Sequence, residues 1–340
     1  MIKITVWFNH WFSTIYHIIN MIKETENFDI KVIGSNANDY VVYKKACDEW
    51  YVEPDGLSKE DYVNYCLSFC KEHHVDVFIP KRNQDAIAEA KDRFDEIGVK
   101  LFIDCNYEIL KILDNKAKTY EYFENIIPEA IPEYYVIKSV EDFKNKYVLL
   151  SNKYKKICYK LLVDEGARSF RVISNDIEGP RGLLEKPGYK VTLNAAINVL
   201  STYDFSNPIL MMPFLDGVEV SADCLKTKKG NIVLPRYKTN KRYSEIIFNK
   251  ELMEYCNKII DELNFEMPLN IQFKKDNETG LFFLLEINPR MSGGLQLSRA
   301  GSDINIPSVA LGKLYNVDID WEYPDYDYSK VVHIETPISF

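Results

Sequence analysis

Short apolar runs and amphipathic stretches take turns over roughly the first hundred residues. ITVWF (4–8) is a run of the first kind. Ser13 to Lys23 is of the second, with Ser13 placed to cap a helix N-terminus. FDIKVIG (28–34) reads as a second strand. Ser58, followed by Glu60 and Asp61, opens a helix through His73 that carries Tyr62, Cys66, Phe69 and Cys70 on one face. VDVFIP (75–80) is a third strand, Gln84–Ile97 a helix, and VKLFI (99–103) a further strand. This β-α-β-α order predicts a parallel sheet with right-handed crossovers, a small doubly wound α/β head. Ligands of such sheets lie at the C-terminal ends of the strands. The loops WFNHWF (7–12) and PKRNQD (80–85) therefore face a crevice, and Asn9 and Arg82 within them are candidate substrate contacts.

The pattern changes after DNKAKTYEYF (114–123) and a connection bearing Pro128 and Pro132. ICYKLLV (157–163) and FRVIS (170–174) read as a hairpin around DEGARS. A helix Thr192–Tyr203 precedes the strand NPILMMPFL (207–215). VEVSADCLK (218–226), the turn KKG and NIVLPRY (231–237) form an antiparallel pair. A helix Lys250–Asn264 leads into LNIQFKK (269–275), the turn DNETG, and LFFLLEINPRMSGG (281–294). With few crossover helices, these segments predict α+β modules with antiparallel sheets. The expected division is 1–112 for the head, 113–206 for a smaller module and 207–340 for a larger one. The unbroken hydrocarbon of Leu281 to Leu285 predicts a strand buried on both faces.

Composition narrows the function classes. At 340 residues, 46% hydrophobic and 27% charged, the chain is long enough for two or three soluble modules. A net charge of -9 and a pI near 5.3 argue against nucleic acid or an anionic membrane as partner. No apolar run approaches the ~18 residues of a membrane span, and no targeting segment is apparent, so a cytoplasmic location is expected. Seven cysteines are scattered, and the CxxxC at Cys66 and Cys70 lacks zinc-site spacing; reduced thiols fit them better. No HxxxH or HExxH pattern occurs among the five histidines. Neither GxGxxG nor GxxxxGK[ST] is present, which leaves a nicotinamide-dependent oxidoreductase little support. The acidic, aromatic tail WEYPDYDYSK (321–330) offers either a plain surface edge or a homodimer contact.

Chemistry concentrates at the end of the 281–294 segment. In a strand, alternate residues share a face, so Glu286, Asn288 and Arg290 line one side before a Ser-Gly-Gly turn. A buried carboxylate needs a partner, so a cation is expected beside Glu286. If DNETG closes a hairpin, Gln272 joins Glu286 and Asn288, and three oxygen donors converge as Mg²⁺ prefers. Arg290 could bind an anion bidentately. A magnesium nucleotide suits this set, although a solvated strand end closed by an Arg–Glu pair would use the same residues. Lys160 interrupts an apolar strand, where it is either functional or an outward-pointing edge residue. The loop after it, with Gly166 and Ala167, could fold over a phosphate through backbone N–H groups. In MMPFLDGVEV, Met212, Pro213, Phe214 and Leu215 could bracket an adenine, Pro213 giving its carbonyl and Leu215 its N–H, with Glu219 accepting from a ribose. Arg236 and Arg242 are candidates for a substrate carboxylate or phosphate, or members of a solvated basic loop. Ser292 in the turn is a further substrate candidate.

Taken in order, Lys116 in DNKAKT, Lys160 in CYKLLVDEGARSF, Glu219 in FLDGVEVSADCL, Gln272 in NIQF and the EINPRMSGG segment resemble the ATP-grasp superfamily. The resemblance spans essentially the whole chain, to GSDINIP (301–307). The Gln/Glu/Asn set is similar to that of the carbamoyl-phosphate-synthase large-chain branch. The WFNHWFST start is similar to ATP-grasp proteins encoded near tellurite-resistance genes. The resemblance implies that Lys116 and Lys160 contact ATP phosphates. It implies an adenine hinge at Met212 to Leu215 and a ribose acceptor in Glu219. Mg²⁺, or Mn²⁺ in its place, would be held by Gln272, Glu286 and Asn288, and Arg290 would stabilise the transferring phosphoryl group. The chain departs from the family in a phosphate loop with one glycine and in Gln272 where some ligases carry Asp.

The activity so implied is ATP-dependent ligation: a carboxylate becomes an acyl phosphate, and an amine displaces phosphate to form an amide. Two alternatives stay open, a phosphotransferase that forms no amide and an ATP-binding regulatory protein of weak activity.

Overall fold

The computed structural model describes residues 1–163, 168–177, 184, 188–239, 242–334 and 339. The head is a five-stranded parallel sheet built from β1 (Ile2–Asn9), β2 (Phe28–Asn36), β3 (Glu49–Val52), β4 (Val77–Ile79) and β5 (Lys100–Leu101) in the order β3-β2-β1-β4-β5. Strand order reverses between β1 and β4. Its helices are α1 (Ile15–Lys23), α2 (Lys59–Glu72), α3 (Gln84–Glu89) and α4 (Lys91–Asp95). Ser58 caps α2 by accepting from the Asp61 N–H, as its position predicts. Two expectations are corrected. The residue before α1 is Thr14, without a side-chain cap, and the expected helix 84–97 is broken at Ala90 with no proline or glycine to announce it.

The connecting segment holds α5 (Tyr107–Asp114) and α6 (Lys116–Phe123). A second sheet follows, from β6 (Tyr135–Ile137), β7 (Ile157–Leu161), β8 (Arg171–Ile173), β9 (Lys190–Val191) and β10 (Ile209–Pro213) in the order β6-β10-β7-β8-β9. Its pairs are antiparallel except β8 with β9, so this sheet is mixed rather than antiparallel throughout. Helices α7 (Val140–Ser151) and α8 (Leu193–Leu200) pack on one face of it, over Ile157, Ile209 and Met211.

The third sheet has six strands: β11 (Glu219–Thr227), β12 (Gly230–Tyr237), β13 (Tyr243–Ile247), β14 (Leu269–Lys275), β15 (Phe282–Asn288) and β16 (Tyr328–Val332), ordered β15-β14-β11-β12-β13-β16. The pairs β11–β12, β12–β13 and β13–β16 are antiparallel. Three helices complete the chain: α9 (Lys250–Leu263), α10 (Leu295–Ala300) and α11 (Ile306–Leu314). Strand β15 lies at an edge of its sheet, and only Phe282, Leu284 and Ile287 are buried while Phe283 and Leu285 stay half-exposed. The reading of 281–285 as buried on both faces is thereby corrected, because an apolar run does not distinguish a central strand from an edge.

The chain divides into two compact units. One comprises Met1–Lys111, Glu219–Gln272 and Ile287–Phe340; the other comprises Ile112–Val218 and Phe273–Glu286. In the first, the head shares one core with later elements. Ile15, Ile18, Ile19 and Ile22 of α1 belong to the same buried cluster as Leu225, Ile232 and Leu234 of the third sheet and Ile306 and Val309 of α11. Each such side chain contributes roughly 1.5–3 kcal/mol on burial, which locks the head to β11 and β12. Among the described residues, no helix is long and apolar enough to cross a membrane.

Candidate nucleotide and substrate site

In the smaller unit, β7 and β10 run antiparallel with Lys160 opposite Leu210, Cys158 opposite Met212 and Ile157 opposite Pro213. Directly opposed residues share a face. Ile157, Tyr159, Leu161, Ile209 and Met211 lie on the side covered by α7 and α8. Cys158, Lys160, Leu210 and Met212 therefore occupy the other face, and Lys160 shares it with the start of the expected adenine segment. Because β7 is the middle strand of its sheet, the alternative of Lys160 as an edge residue falls away. Burial pushes the Cys158 thiol up to about 12 despite the nearby Lys160 ammonium, and the thiol donates to the Pro213 carbonyl at 3.6 Å. That cysteine stays protonated at neutral pH.

Met212, Pro213 and Leu215 are buried and Phe214 is half-buried. The Phe214 N–H donates to the Lys156 carbonyl at 2.9 Å. Just beyond, the Gly217 N–H donates to the Lys275 carbonyl at 2.9 Å, and a Cβ on Gly217 would fall 2.5 Å from that oxygen. Only glycine permits so close an approach.

Lys116 opens α6, whose N-cap Asn115 accepts from the Lys118 N–H. Lys116 is 8% exposed, and its Nζ lies 3.6 Å from Glu286 Oε2. The cation expected beside Glu286 is this lysine. One turn on, Tyr120 is fully buried and its hydroxyl donates to the Leu285 carbonyl at 3.1 Å. Burial, reinforced by the charge of Glu286, raises the ionisation of that phenol far above its usual range. It is a neutral donor that holds the strand leading to Glu286. Its i, i+4 spacing from Lys116 was the available signal for it. Gly166 and Ala167 lie outside the described residues.

The larger unit carries the other candidates. Arg290 donates from Nη2 to Asn288 Oδ1 at 3.3 Å and from Nη1 to the Met291 carbonyl at 3.1 Å, with its guanidinium 5.6 Å from the centre of the Phe12 ring. Gln272 donates from Nε2 to Asn270 Oδ1 at 3.2 Å, which turns its carbonyl oxygen the other way. Glu219, at the start of β11, accepts from the Lys238 ammonium. Register places Arg236 opposite Ser221. Arg236 Nη2 donates to Ser221 Oγ at 3.3 Å and to Ser292 Oγ at 3.5 Å. Arg242 is exposed, and its carbonyl accepts from the His333 N–H at 2.7 Å.

At the head crevice, Asn9 is wholly buried, donating to the Tyr62 hydroxyl at 2.6 Å and accepting from the Lys81 N–H at 2.7 Å. Arg82 stacks over the Tyr62 ring at 4.8 Å and donates to the Asp55 carboxylate at 3.1 Å. Both ends of the Asn9 amide are thus engaged, the nitrogen tying β1 to α2 and the oxygen tying it to the loop after β4. Sequence reading missed Ser221, Asp223, Asn270 and Ser298, a buried polar cluster next to Arg236. Asn270 donates to Ser221 Oγ at 2.9 Å and to Asp223 Oδ1 at 3.0 Å; Ser298 donates to Asp223 Oδ2 at 2.6 Å. Polar residues at alternate positions of VEVSADCL and of LNIQF were the signal.

Among the described residues there is no group of three or more His, Cys, Asp or Glu side chains placed to hold a metal ion. The candidate donors Gln272, Glu286 and Asn288 comprise one carboxylate and two amides, all oxygen ligands. Such a set fits a weakly held Mg²⁺ that completes its shell with water and phosphate, not a softer metal.

Residues 205–337 match the model of a family described as ATP-grasp in the biosynthetic pathway with Ter operon. Over nearly its full length the chain is similar to solved structures. N5-carboxyaminoimidazole synthetase from Staphylococcus aureus, complexed with ADP, aligns with a TM-score of 0.67 at 13% identity, over 93% of this chain and 78% of that one. The biotin carboxylase domain of 2-oxoglutarate carboxylase from Hydrogenobacter thermophilus, a dimer with MgADP, ADP and bicarbonate, aligns at 0.66 and 15%, over 96% and 73%. Biotin carboxylase from Campylobacter jejuni, in a β,γ-ATP complex, aligns at 0.65 and 14%, over 94% and 72%. Among curated proteins, none matches in sequence. Identity this low carries the fold and not the reaction. Residues 205–337 thus resemble an ATP-grasp family, and the chain as a whole shares the fold of these synthetases and carboxylases.

Proposed function

We propose that the protein is an ATP-dependent ligase that activates a carboxylate as an acyl phosphate and couples it to an amine. The observation that carries this reading is the polar end of β15, where Glu286 faces Lys116 and Arg290 holds the Asn288 amide oxygen. In a chain of this fold, that arrangement would offer charge of both signs to a metal and a polyphosphate.

Each step follows from the charges to be handled. Met212 to Leu215 would bracket adenine and Glu219 would accept from the ribose. Lys116 and Lys160 would donate to phosphate oxygens. Gln272, Glu286 and Asn288 would hold Mg²⁺, which when bound neutralises phosphate oxygens and keeps the chain aligned. A substrate carboxylate oxygen forms a bond to the γ-phosphorus while the bridging oxygen–phosphorus bond breaks, and ADP leaves. Arg290, with its planar fork, would match the three oxygens of the transferring group. An amine then attacks the acyl carbon, loses a proton, and expels inorganic phosphate. Catalysis of this kind is mostly positioning and charge neutralisation, so no side-chain nucleophile is required, in keeping with the protonated Cys158.

The test is release of ADP from MgATP with pairs of amino acids as acid and amine, using acid labelled with ¹⁸O in its carboxylate. One labelled oxygen is expected in the inorganic phosphate. Label that stays wholly in the acid contradicts the acyl phosphate. ADP release without any need for an amine favours the phosphotransferase instead.

A further inference from the structure

We propose that Arg236 is the receptor for a second anionic group, carboxylate or phosphate, carried by the substrate in addition to the carboxylate that is activated. The inference rests on the reading of the site given above and names its substrate class: a small acid with two negative centres.

Arg236 is only 5% exposed. A guanidinium offers five N–H donors, yet its bonds here are the two long ones from Nη2 to Ser221 and Ser292, and its buried Nε has no partner. Among the described residues, no carboxylate lies within ion-pair distance of it; the ion pairs of this unit use other cations. Asp223 is in the same polar cluster, but its two oxygens accept from Asn270 and Ser298. A buried cation without a counter-charge costs several kcal/mol, and fold stability gains nothing from such a residue.

Space is kept for it. A Cβ on Gly294 would lie 2.3 Å from Arg236 Cζ, so the glycine of the turn admits the guanidinium head. That turn also holds Ser292, which accepts from Arg236 and from the Gly294 N–H at 3.2 Å. It directly follows Arg290. One turn thus sits between a guanidinium assigned to the phosphoryl group and a second whose Nε donor is unspent. An anion arriving at the second would supply the missing charge and the missing acceptors together.

The test is thermal unfolding of the full chain and of its R236M and R236K variants at constant ionic strength. Chloride is replaced by inorganic phosphate or by succinate, each with and without saturating MgADP. Wild type is expected to gain several degrees in Tm from at least one of the two anions with MgADP present. R236M should lose that gain, and R236K should keep part of it, since lysine retains charge without the fork. Preference for succinate or phosphate identifies the second group as carboxylate or phosphate. No anion response in wild type, or an undiminished response in R236M, overturns the inference. The Tm rise caused by MgADP alone is read separately: its absence overturns the nucleotide reading and leaves the anion comparison standing.

Discussion

Two corners of the molecule handle buried charge in opposite ways. In the smaller unit, Lys116 and Glu286 face each other at 3.6 Å, so each has an opposite charge before any ligand arrives. In the larger unit, Arg236 is as deeply buried but has two serine hydroxyls and an unpartnered Nε. A third, half-buried charge lies between these extremes. Asp104 accepts from the Glu266 and Met267 N–H groups at 2.8 and 2.9 Å, yet burial still raises its carboxyl to about 6. The contrast separates charges that the fold satisfies from one that it leaves for a ligand. Where partners are built in, removing one should harm the protein; where none is built in, removal should harm only recognition.

The sharpest break of that contrast is Glu286→Gln. It should lower ADP release from MgATP on the order of 10²-fold, as loss of one fixed electrostatic group commonly does, and lower the Tm by leaving the Lys116 ammonium without this counter-charge, with the far-UV circular dichroism still that of a folded chain. Retained turnover would remove Glu286 from the metal set.

Asp104 tests the intermediate case through pH. Its folded pKa, about 6, is raised above the ordinary aspartate value of 3.8, so the folded state binds this proton more tightly. Its contribution is present at low pH and lost as pH rises through about 6, by about 3 kcal/mol in all. Urea unfolding should show wild type losing that much more than Asp104→Asn between roughly pH 4 and pH 7. Parallel profiles would contradict the cause assigned to burial.

Gly294→Ala pushes a methyl group toward the Arg236 guanidinium and should cost about 1–3 kcal/mol of stability, seen as a Tm lower by several degrees. An unchanged Tm would mean that the head is not held there. The smallest effect is expected of Lys160→Met, about a tenfold rise in KM for ATP, through loss of one charge-assisted phosphate contact. Unchanged KM would return Lys160 to a structural role.

Much of this was legible in the sequence where elements are long and periodic. Leu269–Lys275 has the predicted bounds, and α9 differs from expectation only in ending at Leu263, with Asn264 in a left-handed cap. The alternation of strand and helix in the head is enough to give its parallel sheet. What escaped depends on pairing between distant residues. β13 and β16 are five residues each and are separated by some eighty residues, and neither has a strong pattern of its own. A cation beside Glu286 was expected from a burial that the edge position of β15 provides only in part, and nothing local singled out Lys116. Arg236 was visible as a charge in a strand; that it faces Ser221 and the Gly294 turn requires the register of β11 with β12.

The most direct measurement is calorimetric titration of ADP into wild type and Glu286→Gln, with and without Mg²⁺. The account predicts that Mg²⁺ tightens ADP binding to wild type by tenfold or more, and that the variant binds ADP with no such dependence. Equal affinity in wild type with and without Mg²⁺, or an equal Mg²⁺ effect in both proteins, would contradict it.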